Sequence, residues 1–529
     1  VFHGARVLFD DKRCTTHPTQ VPHASSFHDI STPEDSTLKR ASRTTLFAAA
    51  VMAAAVNTPA LAEDTCNNEP VRYELRHTGE NRFEIRAEFA ATRGIFDLFW
   101  RPAEGTQDGT VDFISNFEVR NTQGEWSTPV YEGQGTWRAD NAGASDIDAL
   151  RYVLTADHDR ASWDIGKEEI AYRFDDAFYF TGNVALIADH GWGDCRFEIT
   201  FDVPNSWTTV APWASDDGRK FYTGGVRALV RNIFVTGPGL APRTAGFGGM
   251  DVVMLEQESL RADAATFEEL LADSIGHYVD IFGSAPVDNY LVVFGEDNFN
   301  DGGAFMHSFG QRMRAPLRES EKLMWSRTLA HEALHMWLGI TIRPSNAWEL
   351  QWFTEGGADY LTGKTLYRSS QIDEHDMIYI IEGQVRRFFL GRISSGPVDI
   401  ATAGQSKQEN RQLVYGAGAL FHLFLDAHLT ASKGAGEYEA LLRSLYEDSN
   451  EPYSFERLMA ALDEASDGQA SEIYAFLNAP FNPFAVMDRL AIYGVTTSAF
   501  GPDEILVRFS ANGCEGSRHA QCMPDFMAR

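Results

Sequence analysis

Between residues 71 and 235 apolar and polar residues alternate over short stretches, with Gly, Asn and Asp between them. In Arg82-Phe83-Glu84-Ile85-Arg86-Ala87-Glu88-Phe89 every second residue is apolar, the period of a strand with one face in a core. Residues 150–154, 197–203 and 228–235 repeat the signal, and the spacing predicts an antiparallel β-sandwich. Gly237-Pro238-Gly239, followed by Pro242, Gly246, Gly248 and Gly249, breaks every period and predicts a boundary loop. Beyond it residues 266–282 have helical spacing, residues 290–294 read as a short apolar strand, and most of the chain to Tyr493 reads as helices. The fold class expected is α+β multidomain. It comprises an upstream extension and signal peptide over 1–62, a β domain over 63–240, a mostly helical domain over 250–495 and a tail over 496–529. No repeat of fixed period or heptad array occurs, which excludes solenoids and coiled coils.

Composition narrows the classes. A hydrophobic fraction of 44% with 23% charged residues is that of a folded globular chain, neither disordered nor polytopic. Against 45 Lys and Arg stand 75 Asp and Glu, and a net charge of -30 repels a phosphate backbone, so a nucleic-acid partner is not expected. Residues 39–62 carry Lys39, Arg40 and Arg43 ahead of an apolar run over 46–56, then Ala60-Leu61-Ala62. The run is too short for the roughly 20 residues of a membrane span. It predicts a cleaved secretory signal, a mature start at Glu63, no stable membrane span after cleavage, and a periplasmic or secreted protein. The polar stretch over 1–37 is expected to precede the true translation start. Cys66, Cys195, Cys514 and Cys522 of the exported part form an even set with three possible pairings, and the sequence leaves the choice open. A local Cys514–Cys522 loop would leave Cys66 with Cys195. Oligomeric state is not legible.

His331-Glu332-Ala333-Leu334-His335 lies in a helical run over 323–338. Histidines at i and i+4 project from one helix face and can grip one Zn²⁺, with Glu332 directed at the adjacent open position where a water would sit. Glu332 would be the general base, taking a proton from that water as it attacks a carbonyl and passing it to the leaving amine. Trp352-Phe353-Thr354-Glu355-Gly356-Gly357-Ala358-Asp359-Tyr360 follows, and Glu355 supplies a third ligand that leaves one position open, as a catalytic zinc requires. Asp359, one helical turn further, is placed to accept the free N–H of His331 or His335. Tyr415, opening a helix that runs to about Leu429, offers a neutral phenol to stabilise an oxyanion. The spacing expects a zinc cofactor and a peptide or protein substrate. A binding protein that kept the fold would have lost Glu332 or a ligand, and all are present.

These residues resemble the gluzincin metallopeptidases, and within them the glycyl aminopeptidase family. The resemblance rests on HEALHMW, then Ile342-Arg343-Pro344, then WFTEGGADY, then Tyr415 ahead of a glycine-containing helix. It implies a thermolysin-like catalytic domain behind an N-terminal β domain and an aminopeptidase activity. His331, His335 and Glu355 would then hold zinc, Glu332 would be the base and Tyr415 the transition-state donor. By the same resemblance Gly303, Ala304, Met306 and His307 belong to an edge strand that binds substrate, where relatives carry a Glu that contacts the free amine. Met306 takes that place, and a thioether cannot pair an ammonium. Glu296, Asp297 or Asp301 would have to supply the charge, and endopeptidase activity is the alternative. Many relatives also carry a PDZ-like domain, for which the residues after Tyr493 leave no room.

Overall fold

The computed structural model describes residues 66, 69–92, 94–139, 147–163, 166–499, 505–509 and 524–528. The signal-like segment, Cys14, Cys514 and Cys522 lie outside the described residues. Where the alternation is strongest the chain forms β1 (Val71–Gly79) and β2 (Arg82–Thr92). Val71, Tyr73 and Leu75 of one strand and Phe83, Ile85, Ala87 and Phe89 of the other are buried. With β3 (Ile114–Asn121), β4 (Ile147–Thr155), β5 (Arg196–Asp202) and β6 (Lys220–Gly224) they build one sheet in the order β6–β5–β1–β2–β4–β3, extended at its edges by short strands. The pairings are antiparallel except between β1 and β5, which run parallel with Val71 opposite Phe197. Cys66 and Cys195, each just ahead of one of these two strands, form a disulfide with their Cα atoms 5.9 Å apart. It clamps the entry of the parallel pair.

Two stretches depart from the sequence expectation. Within 228–235 the chain forms a short helix, Val226–Val230, and then β7 (Ile233–Gly237), because the Asn232 side chain donates to the Ala228 carbonyl and closes a helical turn. The glycine-rich stretch after Gly237 contains a strand, β8 (Arg243–Phe247), that pairs with β9 (Met250–Glu256). Gly248 and Gly249 have φ of 56° and 89°. Two successive residues at positive φ make the tight turn that matches strand twist, so the glycines that read as a break in fact form a hairpin.

β10 (Asn289–Glu296), β11 (Asp301–Ala304) and β12 (Ser308–Met313) complete a second sheet in the order β8–β9–β10–β12–β11. β10 lies parallel to both β9 and β12, and its run Tyr290-Leu291-Val292-Val293-Phe294 is buried on both faces. Tyr290, Val292 and Phe294 join the core under the helices, while Leu291 and Val293 pack on β7 residues Ile233 and Val235. The second sheet is therefore cemented to the β-rich half on one side and to the helices on the other. β11 is its edge, antiparallel to β12, with its outer side open to the cleft.

The rest is mostly helical, and the helices that frame the site are α1 (Ala264–Phe282), α2 (Lys322–Leu334), α3 (Gln351–Arg368), α4 (Glu374–Ser395) and α5 (Arg411–Ser432). In α1 the buried set Phe267, Leu270, Leu271, Ser274, Ile275 and Tyr278 recurs every three or four residues, and Gly283 ends the helix at φ 94°. α5 is buried along most of its length and packs against both α3 and α4. The structure is thus an N-terminal β-rich domain followed by a mostly helical one. Among the described residues no helix is long and apolar enough to cross a membrane.

Candidate active site

α2 ends at Leu334, a turn earlier than the helical run read from the sequence, and His335 follows it still in helical conformation at φ −59° and ψ −18°. His331 and His335 therefore keep one face. Their Nε2 atoms lie 3.1 Å apart, and Oε2 of Glu355, from the first turns of α3, lies 3.4 Å from one and 3.7 Å from the other. A zinc ion holds imidazole and carboxylate at about 2.0–2.1 Å, so ligand atoms on one tetrahedral face stand about 3.3 Å apart. The three observed separations bracket that value, and the donor set, two imidazoles and one carboxylate, is that of a catalytic zinc. These residues fit the metal.

The three side chains are themselves held. Nδ1 of His335 donates to the Leu338 carbonyl at 2.9 Å, and Nδ1 of His331 lies 3.2 Å from Asp359. Asp359 is in turn bound by Arg387 from α4 at 2.6 Å, with Arg327 of α2 3.8 Å away. Glu355 turns its other oxygen to Lys407 at 2.6 Å, leaving a single oxygen for the imidazoles. Such partners fix ring orientation and tautomer. The electrostatics favour a cation. Burial lowers the affinity of His331 for a proton, but Asp359 and Glu355 outweigh it and lift its pKa to about 10. Burial likewise opposes ionisation of Asp359, yet His331, Arg387 and Arg327 hold it at about 2.

Glu332 is 8% exposed and faces β11. A β-carbon on Gly302 would come within 2.7 Å of the Glu332 Cγ and 2.9 Å of Thr328, so glycine is what lets the edge strand lie against α2. Burial raises the Glu332 carboxyl above its ordinary range against the pull of the two imidazoles. Tyr415 sits in the second turn of α5 rather than at its start, its ring parallel to that of His331 at 6.3 Å. Burial, then the charge of Glu355, keeps its hydroxyl well above the usual value of about 10, so the phenol is a donor. Lys407, Arg387 and Arg411 surround its ring at 5.3, 5.4 and 5.3 Å. α3 and α5 meet through glycine: a β-carbon on Gly418 would strike the Trp352 carbonyl. This crossing brings Glu355 and Tyr415 to one place.

All of these side chains open onto one cleft of about 1850 Å³ between the helices and the β-rich half, large enough for several residues of a peptide. Gly303 and Ala304 of β11 line it, as does Asp301. Met306 and His307 are not among the lining residues. They follow β11 in a turn whose backbone is docked on the β-rich half, Met306 N–H donating to the Arg231 carbonyl and His307 N–H to the Asn232 side chain. Asp297 is paired with Arg312 at 3.0 Å, and Glu296 does not line the cleft.

Sequence reasoning did not find Glu168 and Glu169, which a short helical turn of the β-rich half (Lys167–Glu169) lays over Gly303. A β-carbon on Gly303 would lie 3.1 Å from the Glu168 side chain and 3.5 Å from that of Glu169. Burial raises both carboxyls, and Glu169 also feels Arg101, Lys407 and Glu332. Their position is set by packing between the two halves, which no local pattern records. Lys407, in a polar loop, likewise carries no signal.

No family model matches the chain, and no curated protein matches it in sequence. Solved structures do match it in fold. An aminopeptidase N family protein from Idiomarina loihiensis superposes with a TM-score of 0.66 at 16% identity, over 81% of this chain and 79% of that one. The M1 zinc metallopeptidase from Deinococcus radiodurans gives 0.52 at 16% identity, over 77% of this chain and 93% of that one. A mutant of the latter bound to a Tyr-Ser-Ala substrate gives 0.50 at 16% identity over the same shares. The β-rich half, the edge-strand sheet and the helices around the His331–His335–Glu355 cluster thus adopt the fold of the M1 zinc metallopeptidases.

Proposed function

We propose that the chain is an exported zinc peptidase that removes residues from the free amino end of peptides. The observation that carries the reading is the close triangle of His331, His335 and Glu355 with Glu332 buried beside it. Zinc held there would act as a Lewis acid on a peptide carbonyl and make water a stronger nucleophile. Glu332, its carboxyl raised by burial, takes the proton that the attacking water sheds and delivers it to the leaving amine. Tyr415 donates its hydroxyl hydrogen to the oxygen that gains negative charge. β11 offers the free side of an edge strand, so the substrate backbone adds to the sheet and is held at Gly303 and Ala304.

The choice of an aminopeptidase is supported by Glu169. Met306 puts a thioether where relatives carry the amine-binding carboxylate, but Glu169 hangs over Gly303 from the other half and shares a field with Glu332. There it pairs the ammonium of a substrate whose first peptide bond reaches Glu332. Export is supported by the Cys66–Cys195 disulfide together with the signal-like 39–62 segment. The test is cleavage of matched peptides, free and N-acetylated, by the zinc-loaded chain. Stepwise loss from free ends, with acetylation abolishing cleavage, is expected. Internal cuts in both sets would overturn the exopeptidase reading in favour of an endopeptidase.

A further inference from the structure

The cleft wall formed by the β-rich half is apolar around Phe99, Leu186, Val226 and Val230, and two guanidinium groups, those of Arg101 and Arg231, open into it. In a chain of net charge -30, arginines in a cleft ordinarily find carboxylates. Neither of these forms an ion pair among the described residues. Arg101 lies over the Phe99 ring at 4.8 Å, and its Nε is buried with no hydrogen-bond partner. Such an orphan donor is a group waiting for an acceptor. Arg227 stands close enough to feel the charges of Arg231 and Arg343, which with burial lower its affinity for a proton.

Acidic groups are present on the same wall but engaged. Asp97 accepts from Thr136 at 2.6 Å, and Asp189 accepts from Thr92 and from the Gly191 N–H. Glu169 is felt by both Arg101 and Arg231 without pairing with either, and it feels Glu332 as well. A carboxylate for the amine, flanked by two unpaired guanidiniums, is the charge pattern of an amino acid that bears an ammonium and, two or three carbons away, a carboxylate.

We propose that this wall is the specificity pocket for the N-terminal side chain, and that Arg101 and Arg231 select peptides beginning with glutamate or aspartate. The inference rests on the reading of Glu169 as the amine anchor. It is tested with arylamides of Glu, Gln, Asp and Asn, which lack a peptide carboxyl terminus, so that any preference reports the side chain. A charge-assisted pair predicts a kcat/KM for Glu over Gln of about tenfold or more. In Arg231→Gln and Arg101→Gln the ratio falls toward one, and Arg231→Lys retains part of it. A ratio near one in the unaltered chain, or one that neither substitution moves, overturns the proposal. Calorimetry on the zinc-loaded chain reads the same pocket without turnover. L-glutamate binds about fivefold or more tightly than L-glutamine if the pocket is as described, and equal affinities contradict it. Failure of the anchor reading looks different: N-acetyl-Glu and N-acetyl-Gln substrates are then cut as well as the free ones, while the Glu-to-Gln ratio still reports on the arginines.

Discussion

At the scale of single residues, the site divides its work between groups the sequence displays and groups only the fold assembles. His331, Glu332 and His335 are legible because a helix converts spacing directly into direction, and Glu355 because its own helix follows closely. Lys407, Arg387 and Glu169 are not, since each arrives from a separate element, Lys407 to Glu355, Arg387 to Asp359 and Glu169 over Gly303. Met306 is the opposite case, a residue that resemblance aligns with a substrate strand and whose backbone docks on Arg231. Tyr415 allows a sharp prediction. In the proposed mechanism its hydroxyl acts only where negative charge develops, so Tyr415→Phe should lower kcat by about 10²–10³-fold while KM stays within about threefold. Steady-state kinetics on a free peptide check this, and an unchanged kcat removes Tyr415 from the mechanism.

Elements set how close these residues come. The helical periods of α1 and the alternation of β1 and β2 predict their own formation, but not the crossing of α3 with α5. There Gly356 and Gly418 let two backbones touch, and the contact sets the distance between Glu355 and Tyr415. Gly418→Val would force the helices apart and cost about 1–3 kcal/mol or more. Because Glu355 would move with α3, zinc affinity should fall as well. Gly276→Ala in α1, where a β-carbon meets open space, serves as the contrast and should hold or raise stability. Thermal unfolding and zinc titration of the two variants check the pair of effects. A Gly418→Val chain that binds zinc normally would mean the crossing does not set the ligand triangle. The hairpin of β8 and β9 carries a related lesson, because glycines at positive φ look alike in a linker and in a tight turn until the flanking strands are seen to pair.

For the whole molecule, stability and activity respond to different titrations. His158, in the β-rich core against Phe113 at 3.9 Å, is held neutral by burial with its pKa lowered to about 3. His422, buried under α3 and bonded to the Phe353 carbonyl at 2.9 Å, is lowered to about 4. In the unfolded chain both titrate near 6.5. Between that value and the folded one the unfolded state binds more protons, so each histidine contributes stability that is fully present above about pH 6.5. That contribution is lost as the pH falls toward 3 or 4, by about 1.4 kcal/mol per pH unit at most. His158→Gln should flatten the decline of unfolding temperature between pH 6.5 and 4, and an identical slope would place His158 outside this linkage. Architecture was readable from the sequence at the level of a β-rich half and a helical half. How the second sheet is shared between them was not, because the two buried faces of β10 give one unbroken apolar run that does not say what lies on either side.

The central claim, that His331, His335 and Glu355 hold zinc for a reaction in which Glu332 moves the proton, is tested most directly by measuring metal content and peptide hydrolysis together in the unaltered chain and in Glu332→Gln. One zinc per chain is expected in both, with hydrolysis of free peptides in the first and a loss of about 10²–10⁴-fold in the second. Hydrolysis that persists in Glu332→Gln, or an unaltered chain that binds no zinc, would contradict the account.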